Sequence, residues 1–138
     1  MSSHNVLIDA LNIPVSENMR SPPVTVSPTE SIASLMYFMV REDIGAVIVE
    51  DEGRPVGMIT EKDVLDRVVS SDKDLYETKA KDIMSKPIIS IDEDQPIKDA
   101  LDLMKRHNVR RLAVTKNDVL IGIVTERRLL EAILSKHA

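Results

Sequence analysis

An internal repeat constrains the fold of this 138-residue chain more than any other feature of its sequence. Residues 19–67 and 84–132 align without a gap at a spacing of 65, and 10 of the 49 aligned pairs are identical. Because each copy is too small to bury an adequate core alone, the two are expected to pack face to face about a pseudo-twofold axis. We expect function in the related clefts that such packing leaves between the copies.

Each copy shows the same order of predicted elements: strand, helix, strand, strand, helix. In the first copy a short β-rich run at 24–26 precedes capping residues and a proline at 27–30, which predict a helix start there. A hairpin follows, with predicted strands at 46–49 and 55–59. Apolar residues recur at helical spacing in both copies, at Ile32, Leu35, Met36 and Met39 and again at Ile97, Ala100, Leu101 and Met104.

These patterns predict an α/β (α+β) fold in which each copy forms a small sheet packed with two helices. Val64, Leu65, Val68 and Val69 predict the apolar face of the last helix in the first copy. The predicted organisation is an N-terminal segment outside the repeat (1–18), a first motif (19–69), a polar linker (70–82) and a second motif (83–138).

Composition disfavours nucleic acid as a partner of the whole chain. The net charge is −5, and it is divided unevenly, with −6 on residues 1–69 and +1 on residues 70–138. Two Tyr and one Phe are too few aromatic residues for a base-stacking platform. The asymmetry between such similar halves indicates that they have diverged in what they contact.

The sequence also predicts where the protein is located and whether it has disulfides, a metal site or catalytic residues. Cys is absent, no apolar run reaches the length of a membrane span, and the first residues lack the pattern of a signal peptide. We expect a cytoplasmic protein without disulfides or a membrane partner. Its three His are dispersed in sequence, and no nucleophile motif occurs, so we predict no metal site, no catalytic residues and no enzymatic activity.

Two sequence motifs recur in order in the two copies. Each copy begins Met-x-x-Pro-x-Val/Ile-Thr/Ser-Val/Ile and ends its hairpin with Gly-x-Ile/Val-Thr-Glu, with an amphipathic helix between them. This arrangement resembles a tandem pair of CBS domains, also called a Bateman module, over residues 13–134. The resemblance implies a regulatory module, commonly a homodimer, that binds an adenosine-containing ligand such as AMP, ADP, ATP or S-adenosylmethionine.

The candidate ligand site of the first copy is Gly57-x-x-Thr60-x-x-Asp63. Gly57 lies late in a strand, where a missing side chain lets a ligand or backbone approach closely. Thr60 would lie beside free N–H groups at a helix N-terminus, where phosphate is favoured, and Asp63 could accept hydrogen bonds from both ribose hydroxyls. The same Thr-x-x-Asp spacing is also close to a capping box, which needs no ligand.

The second copy departs from this pattern at one position. Gly122-x-x-Thr125-x-x-Arg128 places an arginine where the ribose-binding aspartate is expected, and a guanidinium has no acceptor for a diol. We therefore expect one strong site per chain. The weaker second site would consist of Ser90, Thr125 and Arg128.

The resemblance assigns further residues to the strong site. Val24, Thr25, Ala46 and Val47 correspond to segments that flank the adenine, with core packing as their alternative. Arg110 and Arg111 correspond to basic residues that meet the nucleotide phosphates across the groove, and a guanidinium fork suits that contact. Their alternative is a solvated pair at the entrance to a strand.

Two rival functions remain open. The first is a scaffold that dimerises without any ligand, which predicts no response to adenosine compounds. The second is nucleic-acid binding through Arg106, Arg110, Arg111, Arg127 and Arg128, which requires these arginines on one face and a steep salt dependence. The sequence contains no evident catalytic domain. If the chain is a regulatory module, we therefore expect its response to ligand binding to pass to an unidentified protein or to remain within the homodimer.

Overall fold

The computed structural model describes residues 3–137 and the side chains of residues 7–135. The chain divides into two compact units, which we name by the repeat that dominates each. The first-repeat unit is Pro23–Ile88, and the second-repeat unit combines Met1–Pro22 with Ile89–Ala138. The elements in chain order are α1 (Ser3–Leu11), a 3₁₀ turn (Val15–Asn18), β1 (Thr25–Val26), α2 (Ile32–Glu42), β2 (Ala46–Asp51), β3 (Arg54–Thr60), α3 (Glu61–Val64) continuing as a π-helical turn (Leu65–Val69), α4 (Ala80–Ile83), β4 (Ser90–Asp92), α5 (Ile97–His107), β5 (Arg111–Lys116), β6 (Val119–Thr125) and α6 (Glu126–His137).

Each unit contains one three-stranded sheet of the same topology. The first strand runs parallel to the second, and the second pairs with the third as an antiparallel hairpin, giving the orders β1-β2-β3 and β4-β5-β6. Register is conserved between the units, since Ala46 lies opposite Thr60 and Arg111 lies opposite Thr125. The predicted α/β class, with a small sheet and packed helices in each repeat, is confirmed.

The first long helix of each repeat buries most of the predicted stripe, while Met36 and Leu101 are half-buried. Ile32, Leu35 and Met39 of α2 are buried, as are their counterparts on α5. However, α2 begins at Ile32, later than the predicted start at 27–30, because Ser31 is the N-cap and its hydroxyl accepts the Ser34 N–H at 3.2 Å. Capping by serine satisfies an N–H group that would otherwise lack a partner.

The apolar face predicted for the last helix is only half buried. Val64 and Val68, four residues apart, lie in the core, whereas Leu65 and Val69 remain 57% and 53% exposed. The four positions span a wider arc of the helix than the sheet beneath can cover. The second-repeat unit repeats this division, because Leu129 is buried and Leu130 and Leu134 are exposed.

The segments that precede the two repeats are exchanged between them. Val15, from before the first repeat, is fully buried in the core of the second-repeat unit, and Ala80 and Ile83, from before the second repeat, lie in the core of the first-repeat unit. Backbone bridges join Arg20 to Ile123 and Ser85 to Met58, and the two bridges are related by the same spacing of 65. Each unit is thus completed by a segment from outside its own repeat.

The exchanged segments explain the glycine in each hairpin. At Gly57 and Gly122 an added Cβ would meet the side chains of Met84 and Met19, respectively, with Met84 Cγ at 2.7 Å. The close approach expected at Gly57 is therefore made by a methionine side chain. At Gly122 the carbonyl oxygen of Arg20 is also 2.9 Å from the added Cβ.

We predict that Gly122→Ala destabilises the protein by about 1–3 kcal/mol and that Gly57→Ala costs less. The reason is that Met84 can rearrange its side chain, whereas the Arg20 carbonyl belongs to the backbone. Urea unfolding of both variants measures the difference. Met84→Ala should restore part of the stability of Gly57→Ala, and equal costs at the two glycines with no such coupling would contradict this explanation.

Candidate functional site

The junction of β3 and α3 holds the central pair of the predicted site. Thr60 ends the strand in an extended conformation and caps the helix, with its Oγ1 accepting the Asp63 N–H at 3.2 Å. In return, the Asp63 Oδ2 accepts the Thr60 N–H at 2.9 Å. The capping box considered from the sequence is therefore present. It fixes the Asp63 carboxylate against the backbone.

The second carboxylate oxygen of Asp63 faces two side chains. Asp63 Oδ1 lies 3.5 Å from Ser85 Oγ and 3.9 Å from Arg67 Nε. Arg67 is itself anchored, since its Nη1 donates to the Ile83 carbonyl at 2.8 Å. The Asp63 side chain is 16% exposed, and a carboxylate has about four lone-pair positions, so Oδ1 retains capacity for a further donor.

Sequence reasoning missed Ser85 and Arg67 as neighbours of Asp63. The Arg67 contact was readable, because a residue four positions along a helix faces the same side. Ser85 had no local signal, because it comes from the exchanged segment and reaches Asp63 only through the bridge between Ser85 and Met58.

The helix N-terminus offers phosphate fewer donors than expected. The Glu61 N–H donates to the Gly45 carbonyl at 3.0 Å, and the Asp63 N–H is taken by Thr60. The expectation of free N–H groups is therefore wrong for both residues. Thr60 keeps its hydroxyl proton as a donor. The Lys62 ammonium, the nearby cation on the same turn, donates a hydrogen bond to the Asp66 carboxylate. This hydrogen bond raises the pKa of Lys62.

The residues predicted to flank adenine lie on the same sheet as Thr60. Thr25 is opposite Ile48 and is half-buried, and Val24 is also half-buried and accepts the Ile48 N–H at 3.0 Å through its carbonyl. Ala46 is half-buried opposite Thr60. Val47 is fully buried in the core of this unit and exposes no surface to a ligand, which agrees with core packing, its alternative role.

The corresponding junction of the second-repeat unit lacks a carboxylate at the third position after threonine. Thr125 Oγ1 still accepts the Arg128 N–H at 3.1 Å, which preserves half of the cap. The Arg128 guanidinium is 62% exposed and points along α6 to Glu131, with 3.8 Å between Nη1 and Oε2. Ser90 lies on β4, exposed and opposite Ala113.

The arginines considered for nucleic-acid binding are largely paired with acidic residues. Arg106 contacts Asp102 at 3.0 Å, and Arg127 contacts Glu131 at 3.6 Å, as Arg128 does at longer range. Arg110 is exposed, and its carbonyl accepts the Glu126 N–H at 2.9 Å, while the half-buried Arg111 begins β5. Such intrahelical pairing reduces the positive charge offered to a phosphate backbone.

Within residues 3–137, no helix is both long and apolar enough to cross a membrane. Among the side chains that the structure describes, no group of three or more His, Asp or Glu is arranged to hold a metal ion.

Comparison with known proteins matches both repeats to one family, the CBS domain, over residues 12–70 and 80–135. An uncharacterized protein of Methanopyrus kandleri is 40% identical over 87% of this chain, which spans 62% of that relative's length. A CBS domain-containing protein of Bacillus subtilis is 31% identical, with 80% of this chain and 78% of the relative covered. A CBS domain protein from Pyrobaculum aerophilum, solved in complex with AMP, is 28% identical with a TM-score of 0.77, covering 89% of this chain and 99% of that one.

Proposed function

The chain belongs to the CBS-domain family as a tandem regulatory module, and we propose that it binds an adenine nucleotide at Thr60 and Asp63 of the first-repeat unit. One observation carries the proposal. The Asp63 carboxylate is fixed by the Thr60 N–H and faces Ser85 and Arg67, whereas the second repeat keeps the threonine cap but carries Arg128 at the equivalent position. The AMP complex of the Pyrobaculum relative supports the class of ligand.

In the proposed complex, the side chains of Asp63 and Thr60 each form hydrogen bonds to the nucleotide. Asp63 Oδ1 accepts a hydrogen bond from one ribose hydroxyl, because it keeps a lone pair beside Ser85, and Oδ2 keeps a lone pair beside the Thr60 N–H for the other hydroxyl. The Thr60 hydroxyl donates to a phosphate or ribose oxygen while still accepting the Asp63 N–H. Half-buried Ala46 lies opposite Thr60 and offers a small side chain there, and the proposal places the base along the strand that carries it.

A thermal-shift screen of AMP, ADP, ATP and S-adenosylmethionine tests the proposal. A ligand at 100 times its Kd should stabilise the folded protein by about 2.7 kcal/mol. Asp63→Asn should weaken binding by about 10-fold to 100-fold, because the amide nitrogen that takes the place of Oδ1 cannot accept a hydrogen bond from a ribose hydroxyl. Asn keeps an oxygen that can accept the Thr60 N–H, whereas Asp63→Ala would also remove the cap and cost about 0.5–2 kcal/mol of stability.

Asp66→Asn is the matched control for this experiment. It removes one negative charge three residues away, from a side chain that is 56% exposed and bonds to Lys62. Its affinity for the ligand should equal that of the unmodified protein. If none of the four compounds shifts the melting temperature, the ligand-free scaffold is favoured instead. Equal losses of affinity in Asp63→Asn and Asp66→Asn would show that Asp63 contributes only its negative charge.

The response to the ligand is proposed to be a change of assembly or shape within a homodimer, passed on to a separate protein. A nucleotide can shift such an equilibrium only by its difference in affinity for the two states. Light scattering with and without nucleotide measures the assembly. A stable monomer at micromolar concentration under both conditions would contradict the homodimer.

A further inference from the structure

The hydroxyl of Ser85 lies beside the Asp63 carboxylate at more than an ordinary hydrogen-bond length. Ser85 Oγ is 3.5 Å from Asp63 Oδ1. A hydroxyl that donates to a carboxylate is usually about 2.5–3.0 Å from the acceptor oxygen. Both residues are half-buried. The Ser85 hydroxyl therefore has the capacity to donate to another oxygen near Asp63.

Hydrogen bonds to the backbone fix both residues of this pair. The Ser85 N–H donates to the Met58 carbonyl at 2.9 Å, and the Ser85 carbonyl accepts the Met58 N–H at 3.1 Å. On the other side, Asp63 Oδ2 accepts the Thr60 N–H at 2.9 Å. The two side chains therefore face each other from fixed positions, before any ligand is bound.

The gap between the two side-chain oxygens fits one further hydroxyl group. Two oxygens 3.5 Å apart can both lie about 2.8 Å from a third oxygen, which is an ordinary hydrogen-bond length. A hydroxyl at that point would donate its proton to Asp63 Oδ1 and accept the proton of the Ser85 hydroxyl. An oxygen without a proton could accept from Ser85 but could not donate to the carboxylate. The pair is therefore suited to a ligand hydroxyl.

The second repeat lacks both residues of this pair. At the spacing of 65, Ser85 corresponds to Arg20. Asp63 corresponds to Arg128. The backbone bridge to the last strand of the sheet is nevertheless present in both repeats. The two side chains thus differ together while the backbone around them is kept, as expected if both act on the same group of a ligand.

We propose that Ser85 is a specificity-determining residue of the nucleotide site and binds the same ribose hydroxyl as Asp63 Oδ1. The proposal rests on the site given under Proposed function and adds a residue that distinguishes ribose from deoxyribose. Asp63 Oδ2 accepts the other ribose hydroxyl. Ser85 therefore affects the recognition of one of the two hydroxyls and not of the other.

Ser85→Ala tests this role, because it removes the hydroxyl and leaves the backbone bridge to Met58 in place. The Kd is measured by calorimetry for AMP, 2′-deoxy-AMP and 3′-deoxy-AMP. We expect the variant to bind AMP about 3-fold to 10-fold more weakly, which is the effect of losing one neutral hydrogen bond. One deoxy analogue should lose affinity by the same factor. The other, which lacks the hydroxyl that Ser85 binds, should bind both proteins equally.

Ser34→Ala is the control, since Ser34 is exposed on α2 of the same unit. Its Kd should be unchanged for all three nucleotides. Equal losses for AMP and both analogues in Ser85→Ala would show that Ser85 only supports the shape of the site, and this result would overturn the proposal. An unchanged Kd for AMP in Ser85→Ala would overturn it too.

Asp63→Asn, titrated in the same series, separates this proposal from the proposed function. If AMP binding weakens in Asp63→Asn but not in Ser85→Ala, the role of Ser85 is wrong and the nucleotide site stands. If AMP does not bind the unmodified protein, or binds Asp63→Asn equally well, the proposed function and the role of Ser85 are both wrong.

Discussion

Replacing Val15 by aspartate should destabilise the second-repeat unit by about 4 kcal/mol, although Val15 lies before the first repeat in sequence. Val15 is fully buried in the same core as Ile97, Leu112 and Leu129. A carboxylate at this position would lose its hydration with no partner for its charge. Urea unfolding followed by circular dichroism measures the loss.

Ile8→Asp is the matched control for this prediction. Ile8 lies in the same N-terminal segment on α1, but it is 42% exposed. Its replacement should change the stability by no more than about 0.5 kcal/mol. If Val15→Asp were as mild as Ile8→Asp, residues before the first repeat would not complete the core of the second, and the exchange of segments would be wrong.

Arg128→Asp should create a second nucleotide site by giving the second repeat the carboxylate that the first repeat has. The Thr125 cap would survive, because Thr125 bonds to the backbone N–H of residue 128. The new carboxylate could also accept the Thr125 N–H and complete a capping box. We expect affinity at this junction to rise by about 10-fold to 100-fold, measured by calorimetry.

Arg127→Asp controls for charge in that experiment. It makes the same change of charge one residue away, on a side chain that is 90% exposed and contacts Glu131. This variant should gain no site. Equal behaviour of the two variants would show that the difference between the repeats does not depend on a carboxylate after Thr125.

Local sequence predicted the elements of the fold but misplaced some of their limits. The apolar stripe of α2 and the hairpin strands were readable because 3.6-residue and 2-residue periods are properties of short segments. The start of α2 was misplaced because several capping residues precede it, and only the structure shows that Ser31 is the one that bonds to the helix. Leu65 and Val69 belong to the predicted apolar helix face but stay exposed, since periodicity gives the direction of a face but not how much of it is covered.

The exchange of segments could not be predicted from local pattern. Val15 lies before the first repeat, and a local pattern does not identify the surface on which such a segment docks. The same limitation applied to Gly57 and Gly122. At Gly57 the missing side chain suggested a close approach by a ligand or backbone, whereas the approaching groups are Met84 at Gly57 and Met19 with the Arg20 carbonyl at Gly122, all distant in sequence.

The candidate site was predicted in part. Thr60 and Asp63 were identified by spacing, and the structure forms their hydrogen bonds to each other. A capping box and a ribose-binding motif use the same residue types at the same spacing, so the sequence could not separate them. The structure shows that one oxygen of Asp63 serves the cap while the other faces Ser85 and Arg67. The two roles are therefore compatible.

The central claim is that one nucleotide site per chain depends on the Asp63 carboxylate. Isothermal titration calorimetry with AMP, on the unmodified protein and on Asp63→Asn, tests it most directly. We predict one tight site per chain in the unmodified protein and a loss of affinity of about 10-fold to 100-fold in the variant. Two equal sites in the unmodified protein, or one site whose affinity is unchanged in Asp63→Asn, would contradict the claim.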